Sequence, residues 1–342
     1  WTAAEIDSLL GSEHGLAFRK EYQVSDIGNW EGKNILHLKS FTPERFESWR
    51  KERNTLLKHR AERPRPHRDE KILAGWNGYM IEAMARAGAV LDEPRYTESA
   101  VRAATFLENQ LWKSGRLQRH YRNGAAPVLG YLDDYAFLGR GYLALYETTF
   151  DPRWLEAALR TARELNRLFS RADGSFSMTG VDAESLLAPV VDSYDGAMPS
   201  GNSAAAMLLL RLGHLTGDRE MEERGHRVLD RFSADLGRMP EAHLEMLSAV
   251  DFFIGPKTEV IVAGEPEDPV VRAMWRAVRS LYMPNSVVAA RPPDASAVTK
   301  HIPYLGPQIA LEGRATAYVC QGYACRLPVH DAAALTRNLT GQ

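Results

Sequence analysis

One kind of turn recurs along this chain and sets most of what it can become. Glu93-Pro94-Arg95, Asp151-Pro152-Arg153 and Asp218-Arg219 each separate two stretches whose apolar residues return at helical spacing. An acidic residue followed by proline or arginine reads as a helix start. The carboxylate caps free backbone N–H groups, and proline at the first helical position gives up no hydrogen bond. The spacing therefore predicts three helical hairpins. The first runs from Asp69 through Leu73, Trp76, Met80, Met84, Ala87 and Leu91, then returns through Ala100, Ala103, Leu107 and Leu111. The second uses Leu132, Tyr135, Gly139, Tyr142 and Tyr146, then Ala158, Ala162, Leu165 and Phe169. The third uses Ala204, Leu208, Leu212 and Leu215, then Met221, Val228, Leu229 and Phe232. Partial hairpins are expected over 43–60 and 240–253.

Links within a hairpin are a few residues, whereas those between hairpins, over 113–130 and 170–199, are long. In up-down packing this alternation gathers all short turns at one end and all long loops at the other. The first helix of each pair must then start at the long-loop end. Residues 203–215 are apolar nearly all round, which marks an inner helix of a double-walled barrel. The expected fold class is an all-α dominated (α/α) toroid. After Phe253 the pattern changes: residues 257–264, 286–290 and 315–320 read as strands, 269–281 as a helix, and 291–298 as a surface loop. The chain divides on this reading into a helical-hairpin part, 1–253, and a small α/β subdomain, 254–342.

Charge and cysteine usage narrow the classes of function. Forty-two basic residues face 44 acidic ones, a balance that gives no drive toward nucleic acid or an anionic membrane. No apolar run is long enough to span a bilayer, and no signal-peptide pattern opens the chain. Cys320 and Cys325 are the two cysteines, too few for a disulfide framework and poorly spaced for a metal. They are expected as two ordinary thiols in a reducing, cytoplasmic setting; redox regulation through the pair is the alternative. Phosphate-binding glycine loops, the G-x-S-x-G elbow, H-E-x-x-H and C-x-x-C are absent, and neither metal nor cofactor is expected. Thr2 followed by Glu5 reads as a capping box at the very start, and further residues are expected upstream of Trp1.

The long-loop end gathers chemistry suited to sugars. Asp133, Asp134 and Asp192 are candidate catalytic carboxylates, with His120, beside Arg119 and Tyr121, as a candidate proton shuttle and His243 a weaker one. Trp76 and Tyr135 would stack on a sugar ring, while Asn77, Ser200 and Asn202 would hydrogen-bond its hydroxyls. Each has a plainer reading. Asp69, Asp133 and Ser200 fit helix N-caps, Asn202 fits a turn, and Trp76 fits a core. Asp133 and Asp134 stand about 100° apart on a helix, so one of them faces a pocket.

At these same residues the chain resembles a known family. EGKNILH (31–37), DEKILAGWNGYMI (69–81), GYLDDYAFL (130–138), PSGNSAA (199–205) and ATAYVCQGYAC (315–325) look like the spermatogenesis-associated protein 20 family. Its bacterial members are called thioredoxin domain-containing or N-acylglucosamine 2-epimerase-like proteins. The resemblance implies a thioredoxin-like domain followed by an (α/α)6 toroid of the six-hairpin glycosidase and sugar epimerase type. Here the thioredoxin-like domain and first hairpins lie outside the chain, so the ring would be completed by upstream residues or by association with a second chain. The paired histidines of sugar epimerases have no match. The expected function is carbohydrate-active, hydrolase- or isomerase-like, on a small sugar-like molecule. The alternative is a non-catalytic sugar- or peptide-binding module serving a thioredoxin-like domain.

Overall fold

The computed structural model describes residues 1–184, 186–322 and 324–341; Ser185, Tyr323 and Gln342 lie outside the described residues. The chain forms two compact units, Trp1–Asp69 and Glu70–Gln342. The first holds α1 (Ala3–Leu10), α2 (Ser12–Glu21), α3 (Pro43–Ser48) and α4 (Arg50–Ala61). The capping box forms as the sequence dictates: Thr2 Oγ1 accepts the Glu5 N–H at 3.1 Å and Glu5 Oε2 accepts the Thr2 N–H at 2.7 Å. Ile6, Phe18, Tyr22 and Leu56 make its core, with Phe18 stacked on Tyr22 at 4.2 Å. The hairpin expected over 43–60 is instead a short helix running into a longer one at Trp49. α3 buries no side chain, so it has no face on which a hairpin could close.

The second unit opens with β1 (Ile72–Leu73), α5 (Ala74–Val90) and α6 (Pro94–Leu111), then β2 (Trp112–Lys113), β3 (Arg116–Leu117) and β4 (His120–Tyr121). It continues with α7 (Leu132–Thr149), α8 (Pro152–Phe169), α9 (Gly201–Thr216), α10 (Arg219–Arg238) and α11 (Leu244–Ile254). Helices α5, α7, α9 and α11 pack side by side as an inner layer, and α6, α8 and α10 back α5, α7 and α9. This is the two-layer packing of helical hairpins expected of an (α/α) toroid. The amphipathic outer helices bury one stripe. The inner α9 buries nearly every residue, Arg211 and His214 included. Turn chemistry holds too: the Asp151 and Asp218 carboxylates accept from Arg153 and Met221 N–H, with Pro94 and Pro152 in the first turns of α6 and α8.

One start was misplaced. Asp69 does not cap α5, which begins at Ala74, because Ile72–Leu73 pairs antiparallel with His120–Tyr121 and keeps the chain extended until then. Glycines then decide how closely α5 and α7 approach. A Cβ on Gly78 would lie 2.5 Å from the Leu138 nitrogen, and one on Gly141 would lie 2.6 Å from the Gly78 oxygen, so neither position admits a side chain. The hairpin expected over 240–253 is a 3-10 turn at Pro240–Ala242 followed by the single helix α11.

Beyond α11 come β5 (Thr258–Ala263), α12 (Pro269–Arg279), β6 (Ser286–Arg291), α13 (Ser296–Thr299), β7 (Thr316–Gln321), β8 (Ala324–Cys325) and α14 (Ala332–Thr340). The sheet order is β6-β5-β7-β8, with β5 and β6 parallel and the other pairs antiparallel. Strand alternation splits its side chains between two cores. Ile261, Ala263, Val287, Ala289, Tyr318 and Cys320 join the helical core, while Val260, Val262, Ala317 and Val319 pack with the apolar faces of α12 and α14. The change of pattern at 253/254 thus falls inside the second unit. The cysteines are not two thiols: Cys320 and Cys325 face each other in the β7–β8 register and are joined by a disulfide.

Candidate functional site

The inner-helix N-termini meet at the long-loop end, and two aspartates bind them in pairs. Helix starts leave N–H groups unpaired and carry the positive end of the helix dipole, so a carboxylate there answers both. Asp134 Oδ1 accepts the Gly75 N–H of α5 at 3.0 Å, and its Oδ2 accepts the Tyr131 N–H at the start of α7, also at 3.0 Å. Asp195 does the same for the next pair. Its Oδ1 accepts the Ser200 N–H ahead of α9 at 2.8 Å, and its Oδ2 accepts the Glu245 and Met246 N–H groups of α11 at 2.9 and 3.1 Å.

Asp134 is 2% exposed and also accepts from Arg119 Nη1 at 3.1 Å. Burial, together with the neighbouring Asp133 charge, raises its pKa to about 7 against the pull of Arg119 and the two backbone N–H groups. Such a carboxylate, enclosed and with its acceptor sites filled, organises the site from behind.

Asp133 is placed differently. It lines a cleft of about 130 Å³ between the starts of α7 and α9, opposite Asp192, with Tyr194, Met198, Ser200 and Asn202 also on the walls. Its Oδ1 is buried and forms an ion pair with Arg119 Nη1 at 3.5 Å, the same nitrogen that donates to Asp134. Asp192 is exposed, and its carboxylate accepts the Tyr194 N–H at 2.9 Å. Ser200 caps α9 as expected, accepting the Ser203 N–H at 3.0 Å. Asn202 is 1% exposed. Its amide accepts from the Phe176 N–H and donates to the Phe176 and Asp192 carbonyls, so it fixes the 170–200 loop and has little left for a ligand hydroxyl.

The other candidates lie outside this cleft. Tyr135 is not a platform: it is fully buried between Trp112 and Phe169, and its hydroxyl accepts from the Leu117 N–H and Arg116. Asn77 donates back to the Leu73 carbonyl at 2.8 Å. Trp76 is 63% exposed on the first turn of α5, against the core reading. His120 sits in β4 rather than in a free loop, and among the described residues its ring bonds to none of the aspartates. His243 contacts the Ser193 carbonyl through Nδ1 at 2.6 Å. No three described His, Cys, Asp or Glu side chains gather as a metal site, and no described helix is long and apolar enough to cross a membrane.

Sequence reasoning missed an ionic ladder across the inner layer. Arg140 of α7 pairs with Glu82 of α5 through Nε at 3.0 Å and with Glu245 of α11 through Nη1. Burial would push the Glu82 carboxyl up, but Arg140 and Arg86 outweigh it and hold its pKa below the usual value. Beside the ladder, the Tyr79 hydroxyl is buried with no hydrogen-bond partner among the described residues, and burial holds the phenol in its neutral, proton-bearing form. The signal was legible: Arg140 is a lone charge between two glycines in an otherwise apolar run.

No protein-family model matches the chain. Spermatogenesis-associated protein 20 of Homo sapiens is 32% identical to it over 99% of this chain and 49% of the human protein. The chain belongs to the spermatogenesis-associated protein 20 family. The Rattus norvegicus member is likewise 32% identical over 99% of this chain. An uncharacterized Caenorhabditis elegans protein is 27% identical over 80% of it. The chain spans about half the length of the mammalian family members it matches. Among solved structures, a cellobiose 2-epimerase from Bacillus thermoamylovorans aligns at TM-score 0.42 and 15% identity, over 49% of this chain and 46% of that one. A D-mannose isomerase aligns at TM-score 0.39 and 12% identity, over 64% of this chain and 51% of that one.

Proposed function

We propose that this chain is carbohydrate-active and holds one edge of a small sugar-like molecule in the cleft between the starts of α7 and α9. Asp133 is the reacting carboxylate and Asp192 its partner. The observation that carries this reading is the contrast among the acids at this end. Asp134 and Asp195 have their oxygens filled by helix N–H groups, whereas Asp133 lines the cleft with its side chain about a third exposed and, among the described residues, accepts from no helix N–H; its Oδ1 faces Arg119 at 3.5 Å. A partly exposed carboxylate that the helix starts leave free, on the wall of a cleft, is a position for a ligand hydroxyl or a transferred proton. The reaction class is acid–base chemistry at a sugar carbon, hydrolytic or isomerising. His120 has no role in this reading, and Asp134 acts on the site through Arg119.

The test is a thermal-shift screen of mono- and disaccharides, sugar phosphates and uronic acids, followed by turnover assays on any compound that raises the midpoint. Asp133→Asn should abolish both the shift and turnover while the unliganded midpoint stays in place. A ligand whose shift and turnover survive in that variant removes Asp133 from the site, and a panel without a hit removes the sugar. The use of Asp134 and Asp195 as helix caps favours a second reading, a binding module serving a thioredoxin-like domain. A saturable ligand shift with no turnover would select it.

A further inference from the structure

The short-turn end of the second unit holds a larger cavity, about 280 Å³, at the lower edge of the range for small-ligand sites. Its position follows from topology. Strands β5 and β6 are parallel neighbours joined through α12, and the cavity is walled by Val262 and Gly264 at the end of β5 and by Ala290 and Pro292 at the end of β6. The space beyond the carboxyl ends of parallel strands, beside the connecting helix, is where open α/β units receive ligands.

The lining has two kinds of group. One is aromatic: Phe150 lies against Trp275 with ring centroids 4.2 Å apart. Phe150 closes α7 in the left-handed region at φ 56°, and Asp92, also in the lining, has φ 51°. A bulky residue seldom holds that conformation, and such outliers gather where a site needs a side chain in one place. The other kind is cationic. Arg272, Arg276 and Arg279 stand on one face of α12 at spacings of four and three. Arg272 pairs with Glu267 at 2.9 Å, and Arg276 pairs with Asp92 at 3.1 Å, both carboxylates lying on exposed surface. Arg279 is half-buried, donates to the Thr148 carbonyl at 2.6 Å, and makes no ion pair with a described carboxylate. Burial lowers its pKa, the direction expected of a cation short of a counter-charge.

We propose that this cavity binds a small planar anion, an aromatic ring bearing a phosphate or a carboxylate. The ring lies against Phe150 and Trp275, and the charge sits between Arg276 and Arg279. Asp92 holds Arg276 while the cavity is empty and is displaced when the anion enters. An exposed ion pair of this kind is weak enough to exchange.

Calorimetric titration of the whole chain with phenyl phosphate, benzoate and inorganic phosphate tests this. Phenyl phosphate or benzoate should bind at least about ten-fold more tightly than inorganic phosphate, and whichever binds better identifies the anionic group. Asp92→Asn should tighten binding several-fold, and Arg276→Gln should weaken it about ten-fold. Both positions are exposed, so neither variant endangers folding. Inorganic phosphate binding as tightly as phenyl phosphate would remove the ring from the proposal. Affinities unchanged in both variants, or no binding of either aromatic anion, would overturn it.

Discussion

The two ends of the hairpins solve opposite problems. At the long-loop end, inner helices start together, so positive dipole ends and unpaired N–H groups accumulate, and aspartates answer them. Asp134 joins α5 to α7 and Asp195 joins α9 to α11. At the short-turn end helices leave and return within a few residues, so caps such as Asp151 and Asp218 act locally and arginines of α12 line the open space. The difference teaches that an acidic cluster at a helical mouth is first a structural necessity. Function has to be sought in the acid that the helices do not use.

That comparison can be broken at several points. The largest effect is expected from Asp134→Ala, which leaves a buried N–H group and a partly buried one without an acceptor and frees Arg119. Urea unfolding at pH 6 should show a loss of about 3 kcal/mol. A loss below about 1 kcal/mol would mean that the two helix starts do not depend on this carboxylate. Its titration gives the next test. The folded pKa, raised to about 7 from 3.8, means that the native state holds a proton that the unfolded chain releases. The associated stability is therefore full below about pH 4 and is lost as pH rises through 7. Measured against Asp134→Asn, wild-type stability should decline across that window, and parallel pH profiles would refute the raised pKa. Asp195→Ala, at the partly solvated equivalent, should cost about 1–2 kcal/mol. Smallest are Asp133→Asn and Asp92→Asn, each within about 0.5 kcal/mol of wild type by the same unfolding measurement. A destabilising Asp133→Asn would place that residue among the structural caps and end the contrast.

What was legible in the sequence was local. Asp151, Ser200 and Asp218 mark helix starts because the group that caps each start is adjacent in the chain, and Pro94 marks one because its fixed φ suits the first helical position. The start of α5 was not legible in this way, since its acceptor is Asp134, 59 positions away, and Asp69 looked like the cap. The candidate site suffered most from the same cause. Tyr135 and Asn202 have the right chemistry for sugars, but distant partners, Leu117 and Phe176, claim their polar atoms. The disulfide is not legible either, because the spacing of the cysteines does not disclose that the two residues oppose each other across a hairpin. Arg140, a lone charge between glycines in an apolar run, is by contrast a local signal of a buried ion pair.

The Asp134 bridge also bears on how the array assembles. The first turn of α5 acquires its acceptor from the following hairpin, across 59 residues of chain. An isolated α5–α6 hairpin therefore begins with a frayed end, and the same holds for α11 without Asp195. The cooperative unit is then a pair of neighbouring hairpins rather than a single repeat. Amide protons at the starts of α5 and α7 should exchange with solvent in one concerted opening. A repeat array built this way gains and loses its members two at a time.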